Sequence, residues 1–211
     1  MKGGHLAVFA GFEYRVSYDD SLKFYAKDSA AGVNPLDVES LAADIARMRA
    51  KEPDTFIIAF PHWGKSYETL GPHEQAVARR LVEAGADLIV GHGTHTVQAV
   101  ERYLGRWILY GIGNFAFGAP GRFAEQQAAP FGLAVRLEVI GHADGLSRAL
   151  RVYPLLTDNL QTGYETRPVT RAEFQVATKL LGGFGQAGKG DAAELMAGQD
   201  GFGWHLRLAT D

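Results

Sequence analysis

Apolar positions recur along this chain with two different periods, and the period predicts the element. Uninterrupted apolar runs at Thr55–Phe60 (TFIIAF) and Asp87–Val90 (DLIV) read as central strands covered on both faces. His5–Phe12 (HLAVFAGF) and Arg106–Tyr110 read as further strands. Leu41, Ile45 and Met48 form a helical stripe, so Val38–Ala50 is predicted helical, with Asp37 and Glu39 favouring its amino end. A second helix opens at Gly71-Pro72, buries Val77, Leu81 and Ala84, and ends at Gly85. Val97–Arg102 reads as a helical turn and Leu104-Gly105-Arg106 as a hairpin-like connection. Leu133–Ile140 and Ser147–Leu156 alternate as an antiparallel pair joined at Asp144-Gly145. Arg171–Leu181 is predicted helical, Asp191–Ala197 a short helix and Phe202–Leu208 a terminal strand. The segments 13–35, 119–130, 157–170 and 182–190 carry neither period and read as loops or extended chain. The first is long and aromatic, a type that is often functional or placed beside a partner.

Composition narrows the chemistry. The 211 residues are 46% hydrophobic and 21% charged, which suits a soluble protein with a real core. A net charge of −3 and the lack of a Lys/Arg run argue against nucleic-acid binding. The absence of cysteine excludes disulfides, thiolate nucleophiles and zinc–thiolate sites. Any metal must be held by His, Asp, Glu or Asn. No run approaches the roughly 20 apolar residues of a membrane span, and the start has no signal-peptide core. The expectation is a cytoplasmic protein without a membrane span.

Strand, helix and strand in succession place His62 and the Gly91-His92-Gly93-Thr94-His95 turn at the same, carboxyl edge of a parallel sheet. That edge is where α/β sheets bind ligands. His62, His92 and His95 are therefore the candidate metal ligands, since imidazole nitrogens bind first-row divalent ions at neutral pH. Asn114, after Gly111-Ile112-Gly113, either reaches metal or substrate or serves as a turn residue. Trp63 and Tyr67 line a pocket or belong to the core. His5, His73, His142 and His205 read as structural or solvent-facing. Gly111-Ile112-Gly113 lacks the rest of a dinucleotide fingerprint, and the Gly183–Lys189 spacing has Gly190 where a P-loop needs Ser or Thr.

His62-Trp63-Gly64 with Tyr67, Pro72 with Gln75, the run Gly85–His95, Glu101 with Tyr103, and Tyr110–Phe115 resemble the carboxy-terminal motifs of CapA-like capsule and poly-γ-glutamate synthesis proteins. These form a branch of the calcineurin-like metallophosphoesterase superfamily. The resemblance implies an α/β fold, part of a four-layer α/β/β/α sandwich. Residues 1–170 would be the carboxy-terminal part of that domain and 171–211 a tail packed on it. It also implies a site for divalent ions (Mn, Zn or Fe) that includes His62, His92 and His95. The family's glycine–aspartate and asparagine–histidine motifs do not occur here, so the metal site is expected to be incomplete in this chain. A segment or separate chain supplying that half is the implied partner, and a small molecule or polymer the implied substrate. The function implied is capsule or poly-γ-glutamate synthesis with metal-dependent hydrolase chemistry. The alternatives are a non-catalytic accessory protein or an inactive fragment.

Overall fold

The computed structural model describes residues 4–142, 145–181 and 195–209. The first sheet contains β1 (Leu6–Phe12), β2 (Phe56–His62), β3 (Leu88–Val90), β4 (Val100–Tyr103) and β5 (Arg106–Leu109). Its spatial order is β1-β2-β3-β5-β4, parallel except for the antiparallel pairing of β4 with β5. The second sheet is antiparallel: β6 (Phe131–His142), β7 (Gly145–Leu156), β8 (Arg167–Pro168), β9 (Leu195–Asp200) and β10 (Gly203–Leu208). Its order is β6-β7-β10-β9, with β8 beside β7.

The helices are α1 (Val16–Leu22), α2 (Val38–Lys51), α3 (Pro72–Glu83), α4 (Arg122–Glu125), α5 (Asn159–Thr162) and α6 (Arg171–Leu181). α2 starts where the Asp37 side chain accepts from Ser40 N at 2.8 Å, satisfying one of the free amides of its first turn. α2 and α3 cover one face of the first sheet: Leu41, Ile45, Val77 and Leu81 pack with Ile57, Ala59, Ile89 and Ile108. The other face meets the second sheet, where Leu88, Val90, Trp107 and Leu109 pack with Leu133, Leu150, Val152, Leu206 and Leu208. β3 is buried on both faces, which is why its sequence shows no alternation. α6 adds Phe174, Ala177 and Leu181 to the core between the sheets. The layers are thus helices, sheet and sheet, an α/β architecture with two packed sheets. Residues beyond 170 put two strands into the second sheet.

Asp87 sets the lower end of β3. Its carboxylate accepts from Ile57 N at 2.8 Å and pairs with Arg49 and, at 3.2 Å, with Arg106. Arg49 also donates to the carbonyls of Pro53, Thr55 and Gly85, so one buried ion pair ties α2 to β2 and β3.

Several elements differ from the sequence pattern. Pro61 does not stop β2, which runs on to His62. Its carbonyl still accepts from His92 N at 3.0 Å, so the strand continues without only the bond that proline cannot donate. The stretch 97–102 is not a helical turn. It leads into β4, because Leu104 and Gly105, with φ of 48° and 77°, form a tight hairpin to β5. Short helices interrupt three of the segments read as loops. Of the predicted helix 191–197, residues 191–194 and the loop 182–190 lie outside the described residues, and 195–197 open β9. The Asp144-Gly145 turn lies partly outside them as well. No described helix is long and apolar enough to cross a membrane.

Candidate metal centre

The parallel sheet carries His62 and His92 to the same edge, and a parallel bridge joins them directly. Trp63 N donates to His92 O at 2.9 Å, which fixes the two backbones side by side. Their ring centroids are 4.8 Å apart and the rings lie edge-on at 87°. Each ring is also held from its far side. Phe12, at the end of β1, stacks on His62 at 3.8 Å and 12°, and Phe60 stacks on His92 at 4.3 Å. The glycines around His92 are required by space. A Cβ on Gly91 would lie 2.3 Å from the Tyr110 carbonyl oxygen, and one on Gly93, at φ 106°, would lie 2.6 Å from His62 Cε1.

Burial drives the electrostatics. His62 is pushed down to about 4, first by burial, then by the neighbouring His92 and the Arg15 charge. Burial pushes His92 down too. Both imidazoles are therefore neutral at pH 7. His62 Nδ1 is buried without a hydrogen-bond partner among the described residues. A neutral ring with an unmatched buried nitrogen is a ready electron-pair donor.

His95 makes contacts of its own. Its Nδ1 faces Asn114 Oδ1 at 2.7 Å. An amide oxygen can only accept, so Nδ1 carries the proton and Nε2 keeps its lone pair. Asn114 Nδ2 returns to the His95 carbonyl at 3.3 Å. Tyr67 stacks on the His95 ring at 5.6 Å and Phe117 packs on it at 4.9 Å. Both His95 and Tyr67 hold left-handed backbone, at φ 59° and 62°, a cost that concentrates at sites where side-chain direction matters. Asn114 is thus the orienting partner of His95, and Tyr67 the ring stacked on it. Trp63 belongs to the core: it is 1% exposed and its Nε1 donates to Tyr110 O at 2.8 Å. Among the described residues, no three acidic or histidine side chains converge in a geometry that could hold a metal. His62 and His92 come together as a pair, and His95 stands beside it.

Sequence reasoning passed over the rim. Glu13 directly follows β1, and its backbone N donates to His62 O at 2.7 Å. The Glu13 carboxylate accepts from Gly64 N at 3.1 Å and lies 3.7 Å from His73 Nε2. Arg15 Nη2 donates to Gly64 O at 2.7 Å. The strand-end rule that selects His62 and His92 also selects Glu13, because β1 is parallel to β2 with Phe12 opposite His62. His5 and His205 take partners elsewhere. His5 contacts Glu52 at 2.8 Å, and His205 is buried beside Tyr153 and Asp200.

The buried imidazoles give metal-free protein an acid limb. A histidine depressed in the folded state binds its proton first in the unfolded chain, so stability falls as pH drops from about 6.5 towards 4. Glu173, pushed down to about 2 chiefly by the Arg167 hydrogen bonds, contributes stability above 4.5 that is lost as pH falls towards 2. Denaturant unfolding is expected to show a loss of about 2 kcal/mol between pH 7 and 5 from His62. His62→Gln should flatten that limb and leave the limb below pH 4.5 in place. An unchanged slope between pH 7 and 5 in the variant would exclude His62 as its source.

The same strand ends lie within a match to a known family. The model of the family described as bacterial capsule synthesis protein PGA_cap matches residues 2–119, more than half of the 211. The chain belongs to this family. It is 37% identical over 95 residues to the PGA biosynthesis protein CapA of Bacillus subtilis (strain 168), which covers 44% of this chain and 24% of that protein. Against the capsule biosynthesis protein CapA of Bacillus anthracis it is 38% identical over 74 residues, 33% of this chain and 18% of the other. Against a probable polyglutamine synthesis accessory protein of Mycobacterium tuberculosis (strain ATCC 25618 / H37Rv) it is 36% identical over 77 residues, 35% and 20% of the two lengths. The chain spans a quarter or less of the length of these PGA_cap relatives. The residues of the histidine edge, from Phe12 to Phe117, lie inside the family match.

Proposed function

We propose that this chain serves the synthesis of a capsule or poly-γ-glutamate polymer, and that His62 and His92 supply imidazole nitrogens to a divalent-metal centre of metallophosphoesterase type. The observation that carries the metal reading is the pair of adjoining neutral rings, one with a buried nitrogen that nothing among the described residues satisfies. Nitrogen donors of this kind suit zinc, manganese or iron. His95, oriented through Asn114, is a further candidate donor, although it does not converge with the pair among the described residues. Such a centre, when loaded, polarises a phosphoryl or carbonyl oxygen and lowers the pKa of bound water, which is hydrolase chemistry.

The donor set fits one side of that centre. Two-metal chemistry places its ions about 3.5–4 Å apart and needs a bridging ligand as well as imidazoles. No third acidic or histidine group joins the pair among the described residues. We therefore assign the remaining ligands to another segment or chain, and derive no catalytic step from this chain alone. What the chain's own residues do is hold two imidazoles neutral, rigid and side by side. One specific observation favours a second reading, a non-catalytic accessory: a relative of comparable identity carries the word accessory in its name.

Equilibrium dialysis against Mn²⁺ or Zn²⁺ separates the two. The wild-type chain is expected to retain metal, and His92→Ala to lower that affinity at least about tenfold, as for loss of a ligand or its direct support. Retention unchanged in His92→Ala removes His92 from the site. No retention by the wild type, alone or with the missing segment added, leaves the accessory reading.

A further inference from the structure

The long aromatic segment between β1 and α2 is the part of the sequence that the metal reading does not use. The structure folds it against the histidine edge. Phe12, Tyr14, Tyr18, Phe24 and Tyr25 form one aromatic cluster, and Phe12 within it stacks on His62. Tyr25 is 3% exposed, and its hydroxyl accepts from Arg15 N at 2.8 Å while donating to Glu13 O at 2.7 Å. One buried tyrosine therefore fixes the backbone of both charged rim residues.

We propose that Arg15 is the anion-binding residue of this site, receiving a carboxylate or phosphate oxyanion of the substrate beside His62. The proposal rests on reading the His62–His92 edge as a ligand site, and it names the class of group that edge receives.

Several arginines spend their donors inside the fold, whereas Arg15, beside the histidine edge, does not. Arg49 spends its guanidinium on Asp87 and three carbonyls. Arg79 gives two donors to Glu101, and Arg167 two to Glu173. Arg15 engages only Nη2, at 2.7 Å from Gly64 O and 3.9 Å from the Glu13 carboxylate. Its Nη1 and Nε meet no hydrogen-bond partner among the described residues. The side chain is 30% exposed, so these donors are reachable. The guanidinium carbon lies 5.5 Å from the Tyr18 ring centroid, which holds the plane of the group. Glu13 is already engaged by Gly64 N, and the cation is not closed off by a tight carboxylate pair. A planar fork with free donors, two residues from the chain position of His62 through its bond to Gly64, matches the geometry of an oxyanion. Clamping the Gly64 carbonyl needs one N–H and leaves the rest of the fork unexplained.

The test titrates the full chain with inorganic phosphate and, separately, with a γ-linked glutamate trimer, followed by calorimetry. Binding of either oxyanion is expected, with Arg15→Gln weaker by about tenfold or more and Arg15→Lys in between. The better probe identifies the group as phosphate or carboxylate. Glu13→Gln controls for disruption of the Gly64 loop: it loosens the same loop without removing the cation, and should lose much less than Arg15→Gln. Equal affinity in wild type and Arg15→Gln overturns the proposal, as does a loss in Glu13→Gln as large as in Arg15→Gln. Absence of oxyanion binding by the wild type also overturns it. Metal retention measured on the wild-type chain keeps the two readings apart, since retained metal with no oxyanion binding removes Arg15 and leaves the histidine pair standing.

Discussion

Trp63→Ala is expected to lower the unfolding free energy by about 3–5 kcal/mol, the range for deleting a fully buried large side chain. Trp63 is among the largest fully buried side chains and packs with Ile57, Ala59, Ile89 and Tyr110 between α3 and the first sheet. The substitution also strips the Tyr110 carbonyl of its indole donor. Trp63→Phe separates the two contributions. It restores most of the volume but leaves that carbonyl without the indole, so it should cost about 1–3 kcal/mol. Denaturant unfolding monitored by far-UV circular dichroism gives both values. A loss below about 1 kcal/mol for the alanine variant would place Trp63 outside the core. Because Trp63 follows His62 directly, the loss of core packing and of site geometry should appear together.

Gly93→Val should do the reverse, removing the site while sparing most of the fold. Gly93 holds φ 106°, a region that β-branched residues rarely enter. An added Cβ would stand 2.6 Å from His62 Cε1 and 2.7 Å from its Nδ1. The ring must swing away, breaking its stack on Phe12 and its approach to His92. The expected result is loss of metal retention by at least about tenfold with a stability cost of about 1–3 kcal/mol. Equilibrium dialysis and denaturant unfolding on the same preparation measure both. Undiminished metal binding in Gly93→Val would mean that His62 does not take part.

Which features were readable from sequence follows from how local their causes are. β3 and the helices before it announce themselves through burial: Leu88, Ile89 and Val90 are apolar because both faces are covered. The same local logic puts His62 and His92 at one edge. Pro61 misled because proline usually ends a strand, and only the neighbouring His92 amide shows that its carbonyl remains useful. β4 was missed although its turn was not: Leu104-Gly105-Arg106 reads as a hairpin-like connection, but the stretch before it carries no alternation that marks a strand. α1 is short, has no side-chain cap bond and ends at Lys23 with φ 49°, so nothing periodic marks it. The aromatic residues around it are ordered by one another and by Phe12, a tertiary cause invisible in a linear pattern. The partner of the His95 ring is Asn114, nineteen positions away in sequence. Spacing alone put three histidines at an edge. Only the fold distinguishes the two whose rings meet.

Zinc titration of the chain followed by imidazole ¹⁵N resonances bears most directly on the histidine pair. His62 and His92 should shift together, at the same zinc equivalents, and before the exposed His5 and His73. Titration of His5 and His73 first, with the His62 and His92 resonances left in place, would contradict the metal role given to the edge of the first sheet.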